Sequence, residues 1–393
     1  MLSKRLFICI TAGSVLLVIV LSACSSIPTN LPIVGRLLGG SPTPLISPTA
    51  SVTVTPLPSQ SPSATSGPPT PAVTVPAIAA PTAPGVPIGG ISGYTDDRST
   101  AQALVTSFVN ALDRKEYLRA YSYWEPAAAA RLGSFSSFRK GYADTETVQL
   151  TIGTVGADIG AGQLYWTVPV VLIAKTTGGV TQTFVGCYTL HLGEPSFQAV
   201  PPFQPMGIQS AQAKQVANDA NTTDLLKSAC TGPGIRQTSP ATTSEPFAPG
   251  DIGPARYLDN RSGPVEVLES FYNAINRKEY VRAYSYWQAG SPGLRAFNQF
   301  QQGYAETKAV QMTTGQVQSN AGAGQLYYKV PVTLTAQTTG GTTQTFVGCY
   351  TLHLAQPAIQ GTPPFHPLSI TAGQIKEVPA GTDTVPLMSQ SCQ

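Results

Sequence analysis

The chain has 393 residues, of which 11% are charged, and its net charge of +3 falls to +1 without Lys4 and Arg5. That balance leaves nucleic-acid binding without an electrostatic footprint. Three His and no Cys-x-x-Cys pair are a thin supply of ligands for zinc, and no cofactor motif is evident. At the N-terminus, Lys4 and Arg5 precede an apolar run from Leu6 to Leu21 that is interrupted by Thr11, Gly13 and Ser14. About 20 apolar residues are needed to cross a bilayer as a helix. The shorter run reads as the charged and apolar regions of an export signal over residues 1–23.

The run ends in Leu21-Ser22-Ala23-Cys24, which resembles the lipobox of bacterial lipoproteins. The resemblance implies cleavage just before Cys24, a diacylglyceryl thioether on its sulfur and usually a further acyl chain on its amine. Two or more chains anchor a protein stably, where one holds it only marginally. The expected location is therefore extracytoplasmic, with the lipid bilayer as partner through Cys24. Residues 24–95 are dominated by Pro, Thr, Ser, Ala and Gly, with Arg36 as the one charge and no aromatic before Tyr94. Such a segment buries too little apolar surface to offset the entropy of ordering. It reads as a disordered tether, reaching on the order of 200 Å if wholly polyproline II or about 50 Å as a coil.

The remainder is one unit written twice. Arg114-Lys115-Glu116-Tyr117 and Ala120 to Trp124 recur as Arg277 to Tyr280 and Ala283 to Trp287, and Gly160–Leu192 matches Gly322–Leu354 at 27 of 33 positions. The offset is 163 up to the Trp and 162 after it, so one residue is lost between Trp287 and Phe297. Units of this length suit independent domains better than solenoid repeats. The expected organisation is a domain over 96–230, a Pro/Thr/Ser-rich linker over 231–257 and a domain over 258–393.

Within each unit the apolar period changes once. Leu104, Phe108, Ala111 and Leu112 mark one face of a first helix, matched by Val267, Phe271, Ala274 and Ile275. Tyr117, Ala120, Tyr121 and Trp124 mark a second helix, and Phe135, Phe138 and Tyr142 a short third. Leu326, Tyr328, Val330, Val332 and Leu334 then alternate with polar or small neighbours, the pattern of an antiparallel strand with one covered face. Gly340-Gly341 predicts a hairpin turn, after which Phe346, Tyr350, Leu352 and Leu354 share a face opposite Cys349, Thr351 and His353. Helices followed by such a sheet give an α+β class.

The opening helix with its Phe, the run Arg-Lys-Glu-Tyr-x-Arg-Ala-Tyr-Ser-Tyr-Trp at 114–124 and 277–287 and the later hairpin resemble the nuclear transport factor 2-like (cystatin-like) superfamily. The resemblance implies helices wrapped against a curved antiparallel sheet to make a cone with a pocket. Enzymes of that fold, such as isomerases, cyclases and dehydratases, place an Asp, His or Tyr set inside the cone. Other members are accessory modules, and some form dimers through their sheets.

With Cys9 in the signal and Cys24 committed to lipid, four Cys remain, spaced 43 apart in each unit. An oxidising location permits disulfides, and Cys187 to Cys230 with Cys349 to Cys392 is the simplest of the three connectivities. His191 and His353 are equivalent and read as surface or interface residues, and His366 stands where the first unit has Gln204. The matched Arg114, Lys115, Glu116 and Arg119 read as a solvated helix junction, with Glu116 near a positive helix end. Tyr121, Trp124, Tyr142 and Tyr188, with Tyr284, Trp287, Tyr304 and Tyr350, can line a pocket or fill a core with their hydroxyls bonded at the rim. No catalytic residue and no metal ligand is assigned. The expected function is non-catalytic binding of an envelope protein, a wall component or a small apolar ligand, with the two units able to form a pseudo-dimer within one chain. The competing expectation, a surface-held isomerase, cyclase or dehydratase, rests on Asp144 and Glu306, the matched acids near the third helix.

Overall fold

The computed structural model describes residues 93–241 and 250–393; the segment read as an export signal, Cys24 and the segment read as a tether up to residue 92 lie outside them. Tyr94 and Thr95, read as the end of that tether, are built into the fold, the Thr95 N–H donating to Asn110 Oδ1 at 3.2 Å. In the first repeat Thr100 caps α1 (Ala101–Asp113) by accepting the Ala103 N–H at 3.1 Å. Its stripe of Leu104, Val105, Phe108, Ala111 and Leu112 is buried, as the 3.6-residue period requires. The chain then turns at Lys115, whose φ of 60° is left-handed. Its ammonium donates to the carbonyls of Thr145 and Glu146 at 2.7 and 2.6 Å, tying the turn to the first strand. Helices α2 (Tyr117–Ser122), α3 (Pro126–Arg131) and α4 (Phe135–Gly141) follow.

The strands are β1 (Thr145–Ile152), β2 (Gly156–Gly160), β3 (Gln163–Thr176), β4 (Thr181–Gly193) and β5 (Gly207–Val216), followed by α5 (Thr222–Ser228) and the two-residue β6 (Ser239–Pro240). They form one antiparallel sheet in the order β5-β4-β3-β2-β6, with β1 also paired to β3. β3 is long enough to pair β2 along 163–167 and β1 along 170–176. Pro169 sits at that handover, where its carbonyl accepts the Gly153 N–H at 2.9 Å. A residue with no N–H is tolerated there because neither strand is continuous past it.

The second repeat has α6 (Pro264–Asn276), α7 (Tyr280–Ser285), α8 (Phe297–Gly303), β7 (Thr307–Thr314), β8 (Gln318–Gly322), β9 (Gln325–Thr338), β10 (Thr343–Ala355), β11 (Ser369–Val378) and α9 (Thr384–Gln390). Its sheet runs β11-β10-β9-β7, with β8 also on β9. The alternation read from sequence appears as cross-strand pairs, Phe346 with Leu334, Tyr350 with Val330 and Leu352 with Tyr328. The fold is α+β, with the N-terminal helices of each repeat packed on one sheet face around Phe108 and Phe271. On the first sheet, Leu226 of α5 packs with Val171 and Val185 in a separate small cluster. Disulfides join Cys187 to Cys230 and Cys349 to Cys392, with Cα atoms 5.0 and 5.2 Å apart. Among the described residues no helix is long and apolar enough to cross a membrane.

Three further features depart from the sequence reading. Helix α3 has no counterpart: Pro126 starts it at a position that suits proline and four Ala continue it, whereas Ala289-Gly290-Ser291-Pro292-Gly293 forms no helix in the second repeat. The segment read as a linker is partly built into the repeats. Ser239 and Pro240 pair with Ala157 and Gly156 of β2, and Ile252 is buried in the second core. Gly156 permits this approach, since a Cβ there would lie 1.9 Å from Thr238 Oγ1.

The third departure is a correction. Glu116 and Arg119, read as solvated, are buried, with Arg119 0% exposed and Glu116 5%. Arg119 donates from Nε to Glu116 Oε2 at 2.7 Å, from Nη2 to Asn110 Oδ1 at 2.7 Å and from Nη1 to Tyr123 Oη at 3.2 Å and to the Thr95 carbonyl. Arg282 repeats the set with Glu279, Asn273, Tyr286 and Leu258. Multiple directed bonds and an ion partner are what a buried guanidinium requires.

This network fixes the segment by which the repeats touch. Tyr123 and Tyr286 donate their hydroxyls to Asp96 and Asp259, each at 2.8 Å. Asp97 forms an antiparallel bridge with Asn260. Around it the Arg98 N–H donates to the Asp259 carbonyl at 2.7 Å and the Arg261 N–H to the Asp96 carbonyl at 2.6 Å. Tyr94, under the Arg119 guanidinium at 4.7 Å, packs against the second core, and Tyr257, under Arg282 at 4.7 Å, against the first.

Candidate functional site

The second repeat contains a cavity of about 440 Å³ between its helices and sheet, inside the range of roughly 300–1,000 Å³ usual for small-molecule sites. Its aromatic walls come from four elements: Tyr272 of α6, Trp287 after α7, Phe300 and Tyr304 from α8 and its end, and Phe346 and Tyr350 of β10. Leu294, Val310 of β7, Leu334 and Ala336 of β9 and Ile375 of β11 add apolar surface. The period-2 alternation of β9 and β10 aims their lining side chains to one face. Arg295, Gln299, Thr307 and Gln344 add polar groups. Arg295, Gln299, Gln302 and Gly303 also line an outer recess of about 470 Å³.

Tyr272 and Tyr350 share a hydroxyl–hydroxyl bond of 2.6 Å. Burial pushes the Tyr350 hydroxyl up to about 12, against the lowering effect of that bond. Burial raises Tyr272 and Tyr304 further above the ordinary phenol value, with neighbouring tyrosines adding to the rise. These phenols are therefore neutral at any physiological pH. Among the described residues the lining contains no carboxylate and no imidazole, the side chains that most often act as a general base. The arrangement can shape, exclude water and hydrogen-bond.

Of the aromatic residues singled out in sequence, Trp287, Tyr304 and Tyr350 line this cavity. Tyr284 instead packs edge to face with Phe297 and Phe300 and donates to the Arg295 carbonyl at 3.0 Å, bracing the loop that carries Arg295. In the first repeat Tyr121 braces α3 and its end, donating to the carbonyls of Ala129 and Gly133 at 3.3 and 3.2 Å. Trp124 and Tyr142 pack on the core, and Tyr188 is part of it. Burial pushes the Tyr142 hydroxyl up to about 12. The indole N–H groups of Trp124 and Trp287 are buried without an acceptor among the described residues. Both rings stand edge to face with a phenylalanine, Phe108 at 80° and Phe271 at 76°, a geometry in which an N–H edge can meet a π face.

Sequence reasoning passed over Tyr272, Arg295 and Gln299, for a definite reason. The repeats differ at these positions, so their self-similarity does not mark them: Tyr272 answers to Val109, Arg295 to Gly133 and Gln299 to Ser137. The signal lay in the mismatches.

The other marked residues lie elsewhere. Asp144 and Glu306 are exposed, and their carbonyls accept the N–H groups of Thr177 and Thr339. His191 is half-buried between Glu125 Oε1 and Gln163 Oε1, each 2.6 Å from a ring nitrogen, and stacks on Tyr165 at 4.6 Å. The second repeat keeps the stack of His353 on Tyr327 and the bond to Gln325, but Gln288 replaces Glu125. Burial lowers the His353 imidazole below its ordinary value. Among the described residues no three His, Cys, Asp or Glu side chains are placed to hold a metal ion. Compared with family models, curated proteins and solved structures, the chain matches none of them.

Proposed function

We propose that this chain is an extracytoplasmic protein anchored to a bilayer through lipid on Cys24, that its repeats are two nuclear transport factor 2-like domains, and that the second binds a small apolar ligand. The anchor is supported by Leu21-Ser22-Ala23-Cys24 after a short apolar run. The domain reading is supported by helices packed on one face of an antiparallel sheet in each repeat, and the pseudo-dimer by the reciprocal bridge at Asp97 and Asn260. The observation that carries the binding role is the aromatic cavity of about 440 Å³. The lack of a carboxylate or imidazole in its lining among the described residues favours holding a ligand over turning one over.

The test is mass spectrometry of the chain isolated from membranes under non-denaturing conditions. The expected result is a Cys24-acylated protein carrying a small molecule that Ala336→Phe, which fills the cavity, no longer retains. An unacylated Cys24 would remove the anchor. Retention of the same molecule by the filled variant would remove the cavity as its site.

A further inference from the structure

Resting on that binding role, we infer that the ligand is a single-chain acidic amphiphile, with its apolar body in the aromatic cavity and its anionic head at Arg295. The two ends of the site differ in kind. The interior is walled by Tyr272, Trp287, Phe300, Tyr304, Phe346 and Tyr350, whereas the outer recess is lined by Arg295, Gln299, Gln302 and Gly303. Arg295, Gln299 and Gly303 belong to both, so the spaces adjoin. A ligand spanning them needs an apolar part and a polar part.

The sign of the head group follows from the charges present. Among the described residues Arg295 is the one charged residue in either lining, and its backbone carbonyl accepts the Tyr284 hydroxyl. Its guanidinium has no carboxylate partner among the described residues. It is a fork of donors suited to a carboxylate or phosphate, and Gln299 and Gln302 can add amide donors beside it.

The first repeat is an internal comparison. It has Gly133 where the second has Arg295, and α3 runs up to that point, whereas the second repeat has an irregular loop with Gly290 and Gly293. Arg295 thus stands in the repeat that has the loop, and Gly133 in the repeat that has the helix. Tyr284 fixes this loop at the carbonyl of Arg295, which holds the backbone and leaves the side chain at the mouth.

The experiment is fluorescence titration of the full chain with cis-parinaric acid and with its methyl ester, in wild type, Arg295→Gln and Ala336→Phe, with circular dichroism melts to verify folding. Leu334→Phe serves as the filled variant if Ala336→Phe melts early. The acid is expected to bind wild type about fivefold tighter than the ester, a preference lost in Arg295→Gln, the size of a partly exposed ion pair. Equal affinity for acid and ester, or a preference that survives Arg295→Gln, overturns the head-group assignment and leaves the cavity standing. Failure of both probes, or binding unaffected by the filled variant, overturns the cavity with it. Competition by dodecanoate and by dodecyl phosphate then separates a carboxylate from a phosphate head. Displacement by neither overturns the acidic amphiphile.

Discussion

The amide of Asp96 donates to the Ser262 hydroxyl at 2.9 Å, and the amide of Asp259 donates to the Ser99 hydroxyl at 2.8 Å. Each pair maps onto the other by the 163-residue offset of the repeats, so the contact is self-complementary in the way of a two-fold interface. Solution scattering of the chain should fit one compact pair of repeats; profiles of two freely tumbling bodies would remove the pseudo-dimer. The double variant Ser99→Ala with Ser262→Ala should speed hydrogen exchange at amides 96 and 259, each losing a bond worth about 0.5–1.5 kcal/mol.

Asp97 should make this contact sensitive to pH. Burial pushes its carboxyl up to about 6 from 3.8, with Ser99 hydrogen bonds pulling it down and Asp259 and Asp96 adding to the rise. A carboxyl raised in the folded state favours folding below pH 4, and that contribution is lost as pH rises through 6. Asp97→Asn should thus stabilise the chain by about 1–2 kcal/mol above pH 6 and by little near pH 4. The second repeat already carries Asn260 at this position, where its Oδ1 accepts the Ser262 N–H at 2.9 Å. Urea unfolding at pH 4.5 and 7.5 measures the difference, and equal effects at the two pH values would contradict it.

Arg119→Met should cost about 3–5 kcal/mol, because it leaves the Glu116 carboxylate and the Asn110 and Thr95 acceptors buried with fewer donors. Arg282→Met should cost as much in the second repeat. Chemical denaturation of each variant against wild type is the measurement; a midpoint shift no larger than that of an exposed Arg, such as Arg139→Met, would show the network to be energetically idle.

Replacing Cys349 and Cys392 together by Ser should lower stability by about 2–4 kcal/mol. It should also raise proteolysis near α9, whose C-cap residue Ser391 donates to the Gly348 carbonyl beside the disulfide at 2.9 Å. Non-reducing peptide maps of the wild-type chain should give two linked pairs, and a peptide joining Cys187 to Cys349 would contradict the pairing.

Sequence pattern revealed what depends on periodicity and duplication: the strand faces around Val330 and Tyr350, the first helix of each repeat and the 43-residue Cys spacing. It hid what depends on distance. An Arg three residues after a Glu looks the same on a wet helix as in a core, so Arg119 became legible only when Asn110, Thr95 and Tyr123 were seen around it. Ser239 and Pro240 join the first sheet by a two-residue pairing, too short to leave a period in a Pro/Thr/Ser-rich stretch. The cavity is a matter of what fails to fill a space, and Tyr272 in place of Val109 gives no hint of that along the chain.

Helix α3 on one repeat and the loop of Arg295 on the other have a consequence for inheritance. In a dimer of identical subunits every mutation strikes both mouths at once, so a change that helps one site must be tolerated by its twin. Joining the halves in one chain removes that constraint. One half can hold the partnership steady while the other acquires a new chemistry at its entrance.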